Sequence, residues 1–127
     1  MTPTDCLYHK EHLWVSRNGE SEVSIGVTDH AQDMLGEVVY IETAEVGGRL
    51  VQGTPFGIIE SVKITSDLIA PISGTVRALN AALPDDPSCV NRAPYREGWL
   101  LQVTLADASE LDSLMSAEEY DRFLNDM

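Results

Sequence analysis

Hydrophobic and polar residues alternate with the period of a β-strand near the start of the chain. Val23, Ile25 and Val27 fall on one face, separated by polar or small residues on the other. An apolar run at 13–17 precedes them, and an Asn-Gly pair at 18–19 lies between the two runs. Because Asn-Gly between apolar runs is a strong local signal for a turn, the pattern predicts a β-hairpin.

A short helix is predicted next, over about residues 29–35. Thr28 or Asp29 can accept hydrogen bonds from its first amides, and Gly36 can end it in a left-handed conformation. The following run at 38–41, Val-Val-Tyr-Ile, has no polar face. We therefore expect this run to form a strand that is buried on both sides.

Glycines and prolines divide the next part of the chain into short strands. These strands are predicted at about 55–60, 68–70, 75–79 and 99–105. In the last one, four apolar residues share a face: Trp99, Leu101, Val103 and Leu105. The stretch 80–98 is rich in Pro, Asp and Asn, so we expect a long ordered loop there.

Beyond residue 105 the apolar residues recur at helical spacing. Asp107 with Glu110, and Ser116 with Glu119, are typical of helix N-termini. The apolar stripes consist of Leu111, Leu114 and Met115, and of Tyr120, Phe123 and Leu124. We therefore predict one domain over 1–127, with a β core at about 8–105 and two short helices at about 107–125.

Charge restricts the functions that this domain can have. Eight basic and 21 acidic residues give the 127-residue chain a net charge of −13. Such a surface repels nucleic-acid phosphates and anionic lipid headgroups, and it favours basic partner proteins. No apolar run approaches membrane-spanning length, and the first residues resemble neither a signal nor a transit peptide. We expect a cytoplasmic protein of bacterial type, with reduced thiols.

Conventional catalytic and metal-binding motifs are weak in this sequence. No Gly-x-Ser-x-Gly motif or glycine-rich phosphate loop is present. Cys6, His9 and His12 are spaced three apart, and Cys89 is a possible distant fourth zinc ligand. This spacing is not that of an established zinc finger, so we favour ordinary surface histidines and predict no metal.

Lys63 has the most unusual setting in the chain. It lies between two strand-like runs and is the sole basic residue between Leu50 and Val76. Val62 and Ile64 flank it, and apolar residues at an exposed tip suit a surface that another protein recognises. On this pattern alone, a lysine on an ordinary strand is an equally good interpretation.

The segment around Lys63 resembles a known family. Glu-Ser-Val-Lys at 60–63, followed by Ser-Asp at 66–67, resembles the lipoylation signature of the glycine cleavage system H protein family. Other segments resemble the same family: 25–32, 35–39, 55–57, 71–74, 90–91, 94–95 and 98–100. The resemblance therefore extends from about residue 8 to residue 124.

The resemblance implies a fold and a function. The expected fold is mainly β: a lipoyl/biotinyl-type flattened β-barrel sandwich with one short internal helix and two short C-terminal helices. The expected function is that of a non-catalytic carrier with lipoate on Lys63, loaded by a lipoate ligase or octanoyltransferase. It would shuttle an aminomethyl group between three subunits: a pyridoxal-phosphate glycine decarboxylase, a tetrahydrofolate aminomethyltransferase and a dihydrolipoyl dehydrogenase.

The resemblance also suggests further site residues. The residues expected to shape the surface read by the lipoylating enzyme are Glu60, Ser61, Val62, Ile64 and Asp67. A groove that protects the loaded arm from water is also expected. Its candidate lining residues are His30, Asp67 and the region around Trp14. The alternative for His30 and Trp14 is that they cap or fill the core.

Several departures from the family pattern leave alternatives open. Leu13 stands where the family usually has Glu, and Ile64 replaces a small residue. Arg92 and Arg96 make the late loop less acidic than usual. A paralogue that donates lipoyl or octanoyl groups, or that acts as a regulatory scaffold, therefore stays possible. A biotin carrier, normally with Met on both sides of its lysine, and a 2-oxoacid dehydrogenase lipoyl domain, usually with Asp-Lys-Ala, fit less well.

Overall fold

Nine strands in two antiparallel sheets account for most of the regular structure in residues 3–126, the part of the chain that the computed structural model describes. The strands are β1 (Leu7–Tyr8), β2 (Leu13–Arg17), β3 (Glu22–Val27), β4 (Val38–Thr43), β5 (Arg49–Leu50), β6 (Pro55–Ser61), β7 (Thr65–Ile69), β8 (Gly74–Leu79) and β9 (Leu101–Leu105). The helices are α1 (Asp29–Leu35), α2 (Cys89–Arg92), a 3₁₀ helix (Ala108–Ser113) and α3 (Ala117–Asn125).

The two sheets pack face to face around an apolar core. The larger sheet has the order β1-β2-β3-β9-β8-β5, and the smaller one has the order β4-β6-β7. Ile25, Val76 and Val103 of the larger sheet and Ile59 and Leu68 of the smaller one are almost completely buried. The prediction of a mainly β sandwich with short helices is therefore confirmed.

The predicted β2–β3 hairpin is also present, with a longer connection than expected. Leu13 pairs with Val27, and Arg17 pairs with Val23. Four residues, 18–21, link the strands, and the amide of Asn18 donates to the carbonyl of Glu22 at 2.8 Å. The hydrophobic pattern thus fixed the pairing, while the Asn-Gly pair did not form a two-residue turn.

Helix α1 has the predicted bounds. The Thr28 side chain accepts a hydrogen bond from the amide of Ala31 and caps the helix. Gly36 ends it with φ +79° and ψ −159°. The positive φ was expected, but this ψ lies outside the left-handed helical region, in a region that is essentially restricted to glycine.

The prediction that residues 38–41 are buried on both sides is wrong. Val38 is buried, but Val39 and Tyr40 are 45% and 46% exposed. The reason is that β4 forms an edge of the smaller sheet, and a bulge between Val38 and Tyr40 interrupts its pairing with β6. An apolar run therefore continues onto the surface here.

The later part of the chain differs from the prediction in detail. The loop at 80–98 contains the short helix α2, which the composition did not indicate. Trp99 lies outside β9, since that strand begins at Leu101. β7 begins at Thr65, three residues before its predicted start.

The two C-terminal helices differ in type and in capping. Ser116 and Glu119 form a capping box at the start of α3, as predicted. The first helix is a 3₁₀ helix, and Asp107 caps it through the amide of Ser109. The Glu110 carboxylate instead accepts hydrogen bonds from the amide and hydroxyl of Ser73, at 2.7 and 2.9 Å.

Candidate functional site

The β6–β7 hairpin presents Lys63 at its tip. Glu60 pairs with Thr65 and Ile59 with Ser66, and residues 62–64 form the turn between the two strands. Lys63 is exposed there, and both strands below it are hydrogen-bonded along their lengths. The paired strands therefore hold the Lys63 backbone in place, while its side chain is accessible from solvent.

Ser61 organises this turn from inside. Its Oγ accepts hydrogen bonds from the amides of Lys63 and Ile64, both at 3.1 Å. Its own amide donates to the carbonyl of Ile64 at 2.8 Å. Since Ser61 is only 7% exposed, its side chain makes its hydrogen bonds within the turn and presents little surface to an approaching protein.

The turn is also tied to the segment that follows α1. The amide of Val62 donates to the carbonyl of Glu37 at 3.0 Å. A β-carbon built on Gly36 would lie 2.7 Å from Cε of Lys63, so the lysine stem lies across this glycine. Gly36 therefore ends α1 and also leaves room for the Lys63 side chain.

The surface around the tip combines apolar and acidic side chains. Val62 and Ile64 are 65% and 51% exposed, and Glu60 and Asp67 are exposed as well. Tyr40 pairs with Glu60 on the neighbouring strand. Its hydroxyl donates to Glu42 at 3.0 Å, and this hydrogen bond raises the pKa of Tyr40.

A cavity of about 140 Å³ opens beside the tip, between α1, β2 and the hairpin. Its walls are mainly apolar, and its four polar lining residues are Glu11, His12, Ser66 and Asp67. The apolar lining residues are Leu13, Val27, Ala31, Met34, Leu35, Ile59, Ile64 and Leu68. Of the three residues proposed from the sequence to line a groove, this cavity includes Asp67.

Trp14 lies elsewhere. It is 2% exposed, and its indole N–H donates to the carbonyl of Pro94 at 2.9 Å. The ring lies over Gly26, where a β-carbon would come within 2.5 Å of it. Trp14 borders a different cavity, shared with Tyr95 and Trp99, and it makes no part of the wall beside Lys63.

His30 is not among the residues that line the cavity, but its ring contacts that of His12, which does line it. The ring centroids of His30 and His12 are 4.6 Å apart. Nδ1 of His12 is 2.8 Å from the hydroxyl of Tyr120. Burial, followed by the neighbouring His30, lowers the pKa of His12. Sequence reasoning treated His12 as a surface residue, and no local pattern indicates its contact with Tyr120.

The cysteines and histidines considered as zinc ligands do not come together in the described structure. Within residues 3–126, no group of three or more His, Cys, Asp or Glu side chains is arranged to hold a metal ion. Cys6 and Cys89 are both buried and free, and burial raises the pKa of Cys6 to about 11. No helix in this described part of the chain is long and apolar enough to cross a membrane.

Comparisons with known proteins agree on one family. The family model of the glycine cleavage H-protein matches residues 6–127. The glycine cleavage system H protein of Geobacillus kaustophilus is 48% identical over 125 residues, which is 98% of each chain. The mitochondrial H protein of Flaveria trinervia is 49% identical over 116 residues, 91% of this chain and 70% of the relative.

Structural comparison gives the same result. The crystal structure of a glycine cleavage system H protein from Mycobacterium marinum superposes with a TM-score of 0.87 at 34% identity. The match covers 97% of this chain and 98% of that one. The two-sheet sandwich and its short helices are thus the fold of that protein as well.

Proposed function

The chain belongs to the glycine cleavage H-protein family and is a non-catalytic lipoyl carrier of the glycine cleavage system, and from this premise we propose that Lys63 is its lipoyl attachment site. The observation that carries the proposal is the position of Lys63, exposed at the tip of the β6–β7 hairpin. The chain has only one other lysine, Lys10, which lies in the β1–β2 loop.

The residues around Lys63 fit an acylated lysine. An amide bond joins lipoate to the lysine amine, and the unbranched stem extends the reach of the group. Gly36 leaves space under the stem, and Ser61 fixes the turn without contacting the amine. When bound, the lipoyl group supplies the sulfur atoms that accept and release the aminomethyl group of glycine.

We propose that the cavity beside the tip is the groove that shelters this arm. Its apolar walls exclude water, which protects a group that is labile to hydrolysis. Glu11 and Asp67 are the carboxylates at its border, and their negative charge favours an amine-bearing group. Leu13, which stands where the family usually has Glu, also lines the cavity and adds no carboxylate to these two.

The exposed side chains of the hairpin suit recognition by the lipoylating enzyme, a lipoate ligase or octanoyltransferase. Glu60 supplies charge, and Val62 and Ile64 supply apolar contact area on either side of the lysine. Asp67 lies on the second strand of the same hairpin. Ser61 contributes indirectly, through the shape of the turn.

The partners in the proposal are the decarboxylating, aminomethyl-transferring and dihydrolipoyl-oxidising subunits. A single tethered arm that visits all three gains an effective concentration of roughly millimolar order at each docked site. The departures Leu13 and Ile64 favour testing one alternative, a paralogue that donates lipoyl or octanoyl groups to other complexes. Binding to the glycine-decarboxylating subunit separates the two functions. Fractionation of the native host tests the cytoplasmic location.

Intact-mass spectrometry of the protein from its native host, grown under glycine-degrading conditions, tests the attachment site. We expect one lipoyl mass shift that is lost in Lys63→Arg and retained in Lys10→Arg. Peptide mapping then assigns the modified residue. Unmodified wild-type protein, or a shift that survives in Lys63→Arg, would refute the proposal.

A further inference from the structure

Hydrogen bonds join the C-terminal helix to one wall of the groove. The Tyr120 hydroxyl lies 2.8 Å from Nδ1 of His12 and 2.9 Å from Oγ1 of Thr28. Oγ1 of Thr28 also accepts from the amide of Ala31 at 3.2 Å, in the first turn of α1. Tyr120 thus contacts both a groove-lining residue and the cap of the helix that forms another part of the groove.

The direction of these hydrogen bonds follows from the burial of Thr28. Thr28 is completely buried, so its hydroxyl proton needs an acceptor inside the protein. Among the described residues its Oγ1 has two partners, the Ala31 amide, which is a donor, and the Tyr120 hydroxyl. The Thr28 proton therefore goes to the Tyr120 oxygen, and the Tyr120 proton goes to Nδ1 of His12.

This direction fixes the state of His12. An imidazole that accepts a hydrogen bond at Nδ1 is neutral and carries its proton on Nε2. In the part of the chain that the structure describes, Nε2 of His30 is the one buried side-chain nitrogen or oxygen without a partner. Nε2 of His12, which makes no hydrogen bond within residues 3–126, therefore keeps access to solvent.

The charged and titratable groups around His12 come from four places. His9 and Glu11 belong to its own loop, His30 comes from α1, and Tyr120 comes from α3. Asp67 lies on β7 and borders the same cavity. Glu11 and Asp67 are the two carboxylates of this set, so a neutral His12 leaves their negative charge uncompensated on its side of the groove.

We propose that Tyr120 is a positioning residue that holds His12 as the neutral Nε2–H tautomer in the groove wall, so that no positive charge there opposes retention of an amine-bearing lipoyl arm. This inference rests on the proposed function of the groove. A protonated His12 would place a positive charge next to the cationic amine and weaken the attraction of Glu11 and Asp67. Burial lowers the pKa of His12 and therefore also favours its neutral form.

Nitrogen-15 NMR of the histidine rings tests the first half of the proposal on the full, unlipoylated chain. We expect wild-type His12 to be the Nε2–H tautomer at neutral pH. Tyr120→Phe keeps the ring stacked on Tyr8, at 4.7 Å, but removes the donor, so the His12 tautomer preference should be lost. Tyr8→Phe is the matched control because its hydroxyl donates to the carbonyl of Pro3, away from His12 and Thr28, and Thr28→Ser should preserve the wild-type spectrum. An Nδ1–H tautomer in the wild type, or an unchanged His12 signal in Tyr120→Phe, would overturn the proposal.

Ammonia release from the aminomethyl-loaded protein tests the second half. We expect roughly fivefold faster release in Tyr120→Phe than in Tyr8→Phe, the factor that one ordinary hydrogen bond provides. Wild-type release should accelerate as the pH falls through the His12 titration, and His12→Asn should abolish that acceleration. Equal rates in the two tyrosine variants, or an unchanged pH profile in His12→Asn, would overturn the proposal. Mass spectrometry of the same samples reports lipoylation separately, so an unmodified Lys63 refutes the proposed function and leaves the NMR result standing.

Discussion

Replacing Ser61 with alanine removes the hydrogen-bond acceptor on which the Lys63 turn is built. The amides of Lys63 and Ile64 both donate to its Oγ at 3.1 Å. At 7% exposure, Ser61 leaves little room for water to replace the missing oxygen. The hydrogen bond from the Ser61 amide to the Ile64 carbonyl, at 2.8 Å, is unaffected by the substitution. The hairpin should therefore form, with a looser tip.

The size of the effect follows from these contacts. The Ser61 hydroxyl also donates to the carbonyl of Ile64 at 3.3 Å, so the substitution removes three hydrogen bonds. Each contributes about 0.5–1.5 kcal/mol, so Ser61→Ala should lower the free energy of unfolding by about 1.5–4.5 kcal/mol. Ser21→Ala is the matched control, because Ser21 is exposed in the β2–β3 turn. We expect the control to change the free energy by less than about 0.5 kcal/mol.

Three measurements check this prediction. Urea denaturation gives the free energy of unfolding, and hydrogen exchange reports protection of the Lys63 and Ile64 amides. The rate of lipoylation reports whether the enzyme needs the ordered turn. Ser61→Ala should lose protection at the two amides and should be lipoylated more slowly than Ser21→Ala. Wild-type stability together with unchanged exchange at both amides would refute the assignment of Ser61 as the organiser of the turn.

Three further substitutions or reactions test other parts of the structure. Gly36→Ala places a side chain at φ +79° and ψ −159°, so urea denaturation should show a free energy of unfolding lower by about 1–3 kcal/mol. The added methyl group should also displace the Lys63 stem and slow lipoylation. Wild-type stability together with a wild-type rate of lipoylation would contradict this account. Ser116→Ala removes the capping box of α3 and should lower the free energy of unfolding by about 1 kcal/mol, as measured by thermal denaturation. The rate of lipoylation should stay at the wild-type value, and a slower rate would argue against a purely structural role for Ser116. Burial raises the pKa of Cys6 to about 11 and also raises the pKa of Cys89. Iodoacetamide at pH 8 should therefore label the folded protein far more slowly than the urea-unfolded protein. Equal labelling rates would show that the two thiols are accessible in the folded protein.

The sequence predicted those features whose causes are local. Helix α1 has the expected bounds because Thr28 supplies the cap and Gly36 supplies a positive φ, both within one turn of the helix. The β2–β3 pairing followed from alternating apolar residues, and the capping box of α3 followed from the Ser116–Glu119 spacing. In each case the residues that determine the structure are neighbours in the chain.

Features that depend on distant contacts were not predictable in this way. His12 and Tyr120 are 108 positions apart, and nothing near either residue indicates that their side chains meet. The burial of Ser61 depends on how the hairpin packs, so a residue expected at a recognition surface belongs to the interior of the turn. The exposure of Val39 and Tyr40 depends on the edge position of β4, which the composition of that strand does not reveal.

The edge position of β4 has a consequence for how copies of this protein behave at high concentration. An open strand edge with exposed apolar residues is a template for intermolecular pairing and aggregation. Here the bulge between Val38 and Tyr40 breaks the register that such pairing requires, and the Asn91 side chain already accepts from the Val38 amide at 2.9 Å. A net charge of −13 adds repulsion between copies. The open edge of β4 is thereby protected against strand pairing between copies of the protein.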